Sequence, residues 1–358
     1  MSAGRRVVLL GAGLAAAPHL SALAALGCDV VAVATSSAER LAGVHGRFPD
    51  AKAYDSAEEA VAEAVRVGAD LALVLTPPNS HLEMVRLAAE GGLDVVVEKP
   101  LDVSVARAAD LVRVAEDAGI KLAVCYQHRA KPAARALRDA LDRETLGRIA
   151  AAQVNVPWWR AQSYYDQPGR GTFDRDGGGV LITQAVHILD LLVWYLGAPR
   201  RIAASAGRSG AHSTEVETLV GALLDYGEGR FAALFAATAA YPGSDEQVLL
   251  VGDRGSATLT GANLAVQAAD GSPPRMVTDR ERAGGVADPA AIPWEWHRDL
   301  LAEAFDAFDA GREPLAGGAS ALATQRVVAG IYRAARTGAW VALDDPALDA
   351  DPRGERPW

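Results

Sequence analysis

Cysteine is almost missing from this sequence: 358 residues carry only Cys28 and Cys125. Two isolated thiols make neither a disulfide framework nor a cysteine metal site. They are therefore expected to be inert and buried, in a chain that holds no metal and works in a reducing cytoplasm. Positive charge is also in deficit, with 35 Lys and Arg against 45 Asp and Glu and a net charge of −10. That balance argues against a nucleic-acid partner. No apolar run approaches the roughly 20 residues of a membrane span. The start, Met-Ser-Ala-Gly-Arg-Arg, leads straight into an apolar strand without the segment a signal peptide needs. Neither a membrane partner nor an internal repeat is expected.

What is present is a large apolar fraction. Half of the residues are hydrophobic, and the length exceeds what one ordinary core accommodates, so two domains are expected. Over the first 125 residues, strands and helices alternate. Strands are read at Arg6–Leu10, Asp29–Ala34, Lys52–Tyr54, Leu71–Leu75, Val95–Glu98 and Lys121–Cys125. Helices fall between them at Ala15–Leu26, Ala38–Arg47, Ala57–Val67, Ser80–Glu90 and Val103–Ala118. Six such units indicate an α/β fold with a doubly wound parallel sheet.

The first strand-to-helix turn reads Gly11-Ala12-Gly13-Leu14-Ala15-Ala16. Gly11 allows a tight turn, Gly13 allows a pyrophosphate close to the backbone, and the helix start at Leu14 and Ala15 offers amide donors. This is a Rossmann-type dinucleotide turn. No carboxylate closes the second strand to hold a ribose hydroxyl. Thr35, Ser36, Ser37 and Arg40 stand there instead and can accept a 2′-phosphate, so NADP is favoured over NAD. Ser36 or Ser37 can equally cap the following helix. Thr76-Pro77-Pro78-Asn79-Ser80-His81 ends the fourth strand at the same edge. Its prolines fix an extended path, Asn79 or Ser80 can cap the next helix, and His81 reads as capping or packing.

Val95–Leu101 reads Val-Val-Val-Glu-Lys-Pro-Leu. Pro100 lacks an N–H and disfavours helical geometry at the residue before it, which puts Lys99 at a strand tip. Ligands bind at the carboxyl ends of strands in open α/β sheets. An ammonium there can polarise a substrate oxygen.

After Cys125 the alternation stops. A helix is expected at Pro132–Arg143, strands at Arg148–Val156, Arg201–Gly207, Thr218–Asp225, Arg230–Thr238, Gln247–Val251 and Ser256–Thr260, and helices at Glu295–Ala310 and Ala319–Arg336. Short turns such as Tyr226-Gly227-Glu228-Gly229 imply antiparallel pairing. Between them runs a loop with Trp159, Arg160, Tyr164, Tyr165, Arg170 and Asp176. Aromatic faces pack on the C–H faces of a sugar-like ring, while Arg and Asp bind its hydroxyls. A lid or subunit contact would share that composition. Gly177-Gly178-Gly179 then permits a close backbone approach before a helix over Val180–Trp194. Thr183, His187, Asp190 and Trp194 share one stripe of that helix. His187 is either a hydrogen-bonded core residue or a candidate general base, because imidazole titrates near neutrality. Asp190, three residues on, can orient or structurally cap it. Trp294, Trp296 and His297 either reach the cleft or only pack.

Gly-Ala-Gly, Thr-Pro-Pro-Asn-Ser-His, Glu-Lys-Pro and Gly-Gly-Gly…His-x-x-Asp, in this order, resemble the glucose–fructose oxidoreductase / inositol dehydrogenase / rhizopine catabolism MocA family. The resemblance extends through Trp296–Gly338. It implies a Rossmann domain (1–125) and a substrate and oligomerisation domain with a large, mostly antiparallel open sheet (126–343); the remaining tail (344–358), rich in Asp, Pro and Arg, reads by composition as loosely held. It also implies NADP or NAD as cofactor, a homodimer or homotetramer, and reversible oxidation of a secondary alcohol on a sugar or cyclitol. Cofactor contacts fall on Gly11, Gly13, Leu14, Ala15, Thr35, Ser36, Ser37, Arg40, Thr76, Pro77, Asn79, His81, Glu98, Lys99 and Gln127. Substrate contacts fall on Trp159, Arg160, Tyr164, Tyr165, Arg170, Asp176, Thr183 and His187. The catalytic set is Lys99, His187 and Thr183, the last standing where the family commonly has Asp; a hydroxyl cannot carry that proton. Two alternatives stand beside this: a lyase or glycosidase with transient oxidation on bound NAD, and a non-catalytic nucleotide or sugar sensor.

Overall fold

The computed structural model describes residues 4–13, 15–278 and 293–350. The chain divides into two compact units, residues 1–127 with 293–322, and residues 128–292 with 323–358.

The first unit is built on strands β1 (Arg6–Leu10), β2 (Asp29–Ala34), β3 (Lys52–Tyr54), β4 (Leu71–Val74), β5 (Asp94–Val97) and β6 (Leu122–Val124). Their order is β3-β2-β1-β4-β5-β6, and every pairing is parallel. Strand order reverses between β1 and β4, the switch point at which this architecture leaves a crevice. Four consecutive residues of β4 are buried, as a central parallel strand covered on both faces requires. Helices α1 (Ala16–Ala25), α2 (Ala38–His45), α3 (Ala57–Arg66), α4 (His81–Glu90) and α5 (Val105–Ala118) connect them. Ser37, Ser56 and Ser104 cap α2, α3 and α5 by accepting from the amides of Arg40, Glu59 and Arg107.

The second unit holds α6 (Pro132–Asp142), β7 (Ile149–Pro157), α7 (Gln162–Tyr165), α8 (Phe173–Asp176), a π-helical turn over Leu181–Ala185, and α9 (Val186–Leu196). Strands β8 (Arg201–Gly207), β9 (Leu219–Gly227), β10 (Arg230–Ala237), β11 (Gln247–Gly252), β12 (Gly255–Thr260), β13 (Asn263–Ala268) and β14 (Arg275–Thr278) follow. After α10 (Glu295–Asp309) and α11 (Gly318–Thr337), β15 (Val341–Ala342) completes a nine-stranded sheet, β14-β13-β12-β11-β7-β10-β9-β8-β15. Only β7 with β10 runs parallel among its pairings. The β9–β10 hairpin turns at Glu228 and Gly229, both at positive φ, the geometry a tight two-residue hairpin favours. Phe231, Phe235, Leu223 and Val251 remain substantially exposed on this sheet.

Four expectations are corrected. Residues 293–322, read with the second domain, pack with the first unit: Leu301, Ala304, Phe305 and Phe308 of α10 join Leu20 and Leu23 of α1 in one apolar cluster. Strands β13, β14 and β15 were not foreseen. The tail is tied down as far as residue 350, by ion pairs Arg333–Asp345 and Arg326–Asp349 and by buried Leu348; residues 351–358 lie outside the described residues. Finally, among the described residues the stretch Phe173–Leu196 is long and apolar enough to cross a membrane, but 83% of its apolar window is buried inside the protein, as in a core helix.

Candidate active site

In the first unit the strand tips gather the nucleotide-binding motifs. Gly11 has φ of 95°, and a methyl added to it would meet the Leu75 and Thr76 backbone at 3.1 Å, so only glycine fits. A methyl on Gly13 would meet nothing within 4 Å. That open space in front of a glycine turn, at the start of α1, suits a phosphate. Among the described residues, Thr76 Oγ1 and Gln127 Oε1 are buried with no hydrogen-bond partner, an arrangement that leaves polar atoms for a ligand to satisfy. These residues fit a dinucleotide. Ala15 stands at the α1 N-cap position, and Leu14 lies outside the described residues.

At the end of β2, Thr35 Oγ1 accepts from the Ser37 amide at 3.3 Å, and Ser37 Oγ accepts from the Arg40 amide at 3.3 Å. Capping therefore occupies Ser37, while Ser36 and the Arg40 side chain stay exposed.

The Thr76–His81 loop departs from its expected caps. Ser80 Oγ donates back to the Pro77 carbonyl at 2.9 Å, and the Leu82 amide is taken by Asp102. His81 is fully buried. Its Nε2 faces the Thr76 carbonyl at 2.9 Å and its Nδ1 the carbonyls of Pro100 and Leu101. It thus joins two loops rather than offering a polar atom to a cofactor. Arg107, which sequence reasoning passed over, ties the same loops together by bonding Asp102, Glu83 and the Asn79 carbonyl. A basic residue at the third position of a helix, five residues after a buried Asp, gave no signal of this.

Glu98 is likewise turned inward. Its Oε1 meets His19 Nε2 at 2.7 Å, and its Oε2 accepts from the Lys99 amide at 3.0 Å. Burial pushes this carboxyl up, but the His19 hydrogen bond and the charges of His19 and Lys99 outweigh it and hold the group at about 2. Glu98 is therefore a carboxylate that fixes the Lys99 turn, which continues through a cis Lys99–Pro100 bond. His297 packs edge-on against His19, 4.9 Å between ring centres, and burial drives its pKa down to about 3.

In the second unit, His187 is buried in the first turn of α9 and stacks on His128, with ring centres 4.7 Å apart and planes 21° apart. The continuous helix expected from Val180 is interrupted by the π turn over Leu181–Ala185, a form concentrated at functional sites. Thr183 lies in that turn, its Oγ1 2.6 Å from the Gly179 carbonyl. Asp190 does not orient His187. Its oxygens are taken by Arg129 at 2.6 and 2.7 Å and by Thr324 Oγ1 at 2.9 Å, a buried charge pair that anchors α9.

The glycine run before this turn serves the protein itself. The amides of Gly179 and Leu181 donate to the buried Glu217 carboxyl at 2.7 and 3.0 Å, and Tyr332 donates to it at 2.8 Å. A methyl on Gly179 would overlap the Glu217 carbonyl, and one on Gly178 the Tyr332 hydroxyl. Burial pushes Glu217 up to about 7 despite these bonds. Its isolated position on the approach to β9 gave no motif.

The aromatic loop divides in two. Trp159 is half-buried and stands edge-on to exposed Tyr241 at 5.3 Å; Tyr164 sits under the Arg170 guanidinium at 5.1 Å and accepts from Gln184. Arg160 is buried over Trp158. Tyr165 and Asp176 both bond within the protein: Tyr165 bonds Thr238 at 2.7 Å, and Asp176 accepts from the Gly171 amide at 2.8 Å.

Comparison with known proteins agrees with this geometry. Residues 5–126 match the model of an oxidoreductase family with an NAD-binding Rossmann fold, and residues 134–258 match the GFO/IDH/MocA C-terminal domain. The chain is 26% identical to D-apiose dehydrogenase of Paraburkholderia graminis, over 96% of this chain and 90% of that protein. It is 31% identical to the rhizopine catabolism protein MocA of Rhizobium meliloti, over 54% of this chain and 57% of that one. The WlbA dehydrogenase of Bordetella pertussis, solved with NADH and UDP-GlcNAcA, superposes with a TM-score of 0.81 over 96% of this chain and 98% of its own, at 24% identity, a likeness of fold. The chain belongs to the GFO/IDH/MocA family of NAD-binding oxidoreductases.

Proposed function

We propose that this enzyme interconverts a secondary alcohol and a ketone on a sugar or cyclitol-like ring. What carries this is found in each unit by itself: an open, orphan-lined nucleotide turn in the first, and a buried, stacked histidine beside a π turn in the second. The curated relatives, dehydrogenases of sugars such as D-apiose, support the substrate class. Gly11, Gly13, Thr76 and Gln127 would hold the nucleotide, whose nicotinamide when bound takes or returns the hydride. Lys99, fixed through its amide by Glu98, donates a hydrogen bond to the substrate oxygen and favours its alkoxide character. His187 takes the hydroxyl proton in oxidation and returns it in reduction. Stacking on His128 restrains its ring plane, so the proton transfer has a fixed direction. Thr183 orients a hydroxyl of the ring, and Trp159 and Tyr164 pack against its C–H face.

The missing carboxylate at the end of β2, together with exposed Ser36 and Arg40, supports acceptance of NADP at least as readily as NAD. The test is a screen of both oxidised nucleotides against aldoses, cyclitols and their derivatives, read by reduced-nicotinamide absorbance. Continuous accumulation of reduced nucleotide with a ring alcohol is expected, at an NADP rate no lower than the NAD rate. Product formation with no net reduced nucleotide would replace this reading with transient oxidation, and no turnover on any ring alcohol or ketone would reject it.

A further inference from the structure

Deep in the first unit, four side chains from four separate elements converge: His19 of α1, Glu98 just past β5, Cys125 just past β6, and His297 of α10. Their donor atoms all lie within 4.8 Å of one another, and the four residues are 0, 8, 0 and 3% exposed. His19 Nε2 lies between two of the others, 2.7 Å from Glu98 Oε1 and 3.8 Å from Cys125 Sγ. His297 completes the group, its ring edge-on to that of His19 with ring centres 4.9 Å apart.

We propose that His19, Glu98, Cys125 and His297 form a closed, structural site for a zinc-class divalent cation. Two imidazoles, one thiolate and one carboxylate are a donor set that suits zinc, and four protein ligands leave no position open for substrate. Tetrahedral bonds of about 2.0 to 2.3 Å place neighbouring donors roughly 3.3 to 3.8 Å apart. The Cys125–His19 separation already has that value, and the Glu98–His19 hydrogen bond opens by about 1 Å when the ion replaces its proton. The scaffold is rigid where it must be: the Glu98 amide donates to Val74 at 2.9 Å and the Cys125 amide to Val97 at 2.8 Å, which sets both ligands in the sheet ladder. Binding exchanges protons for the ion: the Cys125 thiol proton and the proton shared by His19 and Glu98 leave to solvent, and no electron moves. The site would pin α1 and α10 to the tips of β5 and β6, behind Lys99.

The test uses the untagged full chain, loaded with zinc chloride, passed over chelating resin and analysed for zinc and sulfur by plasma mass spectrometry; a second sample takes cobalt(II). One zinc per chain is expected to survive the resin. Cobalt should show the visible bands of a tetrahedral site and a near-ultraviolet thiolate charge-transfer band. Cys28→Ser should keep both bands, which then arise from Cys125 alone. Cys125→Ser should lose the charge-transfer band, and it and His297→Gln should weaken zinc retention by at least ~100-fold, since even outer-shell changes reach that size. Less than a tenth of a zinc per wild-type chain would overturn the site. So would a thiolate band lost in Cys28→Ser, or one that persists in folded Cys125→Ser. The cobalt spectra of wild type and Cys28→Ser decide the matter if Cys125→Ser does not fold.

Discussion

The molecule contains two glycine-rich turns that lead into helices, one in each unit, and they look alike in sequence. Gly11-Ala12-Gly13 opens α1, and Gly177-Gly178-Gly179 precedes the π turn and α9. In the first, the space before Gly13 is empty to 4 Å. In the second, the corresponding space is filled by the Glu217 carboxyl and carbonyl and by Tyr332. The same residue type thus admits a ligand in one unit and the protein's own backbone in the other. What a glycine turn is for is decided by what stands in front of it.

The largest effect that sharpens this contrast is expected from Gly179→Ala. Its methyl would overlap backbone, which cannot swing aside as a side-chain end can, so a loss of about 3 kcal/mol or more is expected in denaturant unfolding. Unchanged stability would break the comparison. Glu217→Gln comes next. The native carboxyl holds its proton up to about 7, above its ordinary value of 4.5, so between these values the folded state binds more protons than the unfolded one. Stability from this group is therefore fully present below pH 4.5 and is lost as pH rises through about 7, by up to roughly 3 kcal/mol. The wild-type minus Glu217→Gln stability difference, followed from pH 4.5 to 8, should fall with that sign; a flat or rising difference would contradict it. The smallest effect belongs to Gly13→Ala. Stability should move by less than ~0.5 kcal/mol, while nucleotide affinity, measured by titration, should drop about tenfold. Equal affinity would mean that the open space is not the phosphate site.

Much of the first unit was legible because its signals are local. Parallel strands buried on both faces read as short apolar runs, and of the helices between them α2, α3 and α5 carry serine caps, with glycines trailing them. In the second unit the strands from β7 to β12 and the helices α6 and α11 were legible, the β9–β10 hairpin through its marked turn at Glu228-Gly229. β13 and β14 are short and polar-flanked, and β15 pairs with β8 across more than a hundred residues, so nothing local announces it. The placement of α10 depends on Phe305 and Phe308 meeting α1, a contact between distant segments. Site residues follow the same division. The proposed nucleotide and catalytic residues Gly11, Gly13, Thr76 and Lys99 stand in contiguous motifs. Glu217, Arg107 and the His128 that stacks on His187 act through partners far away in sequence. Asp190 misled for the same reason: three residues from His187 on a helix, it is claimed by Arg129 and Thr324 from elsewhere in the fold.

The central claim is that Lys99 acts on the reacting oxygen and not on the coenzyme. Lys99→Ala, assayed for reduced-nicotinamide formation beside a nucleotide-binding titration, tests it most directly. Turnover should fall by about 10²- to 10⁴-fold with nucleotide affinity changed less than tenfold. Near-normal turnover in that variant, or a loss explained wholly by failure to bind nucleotide, would contradict the account.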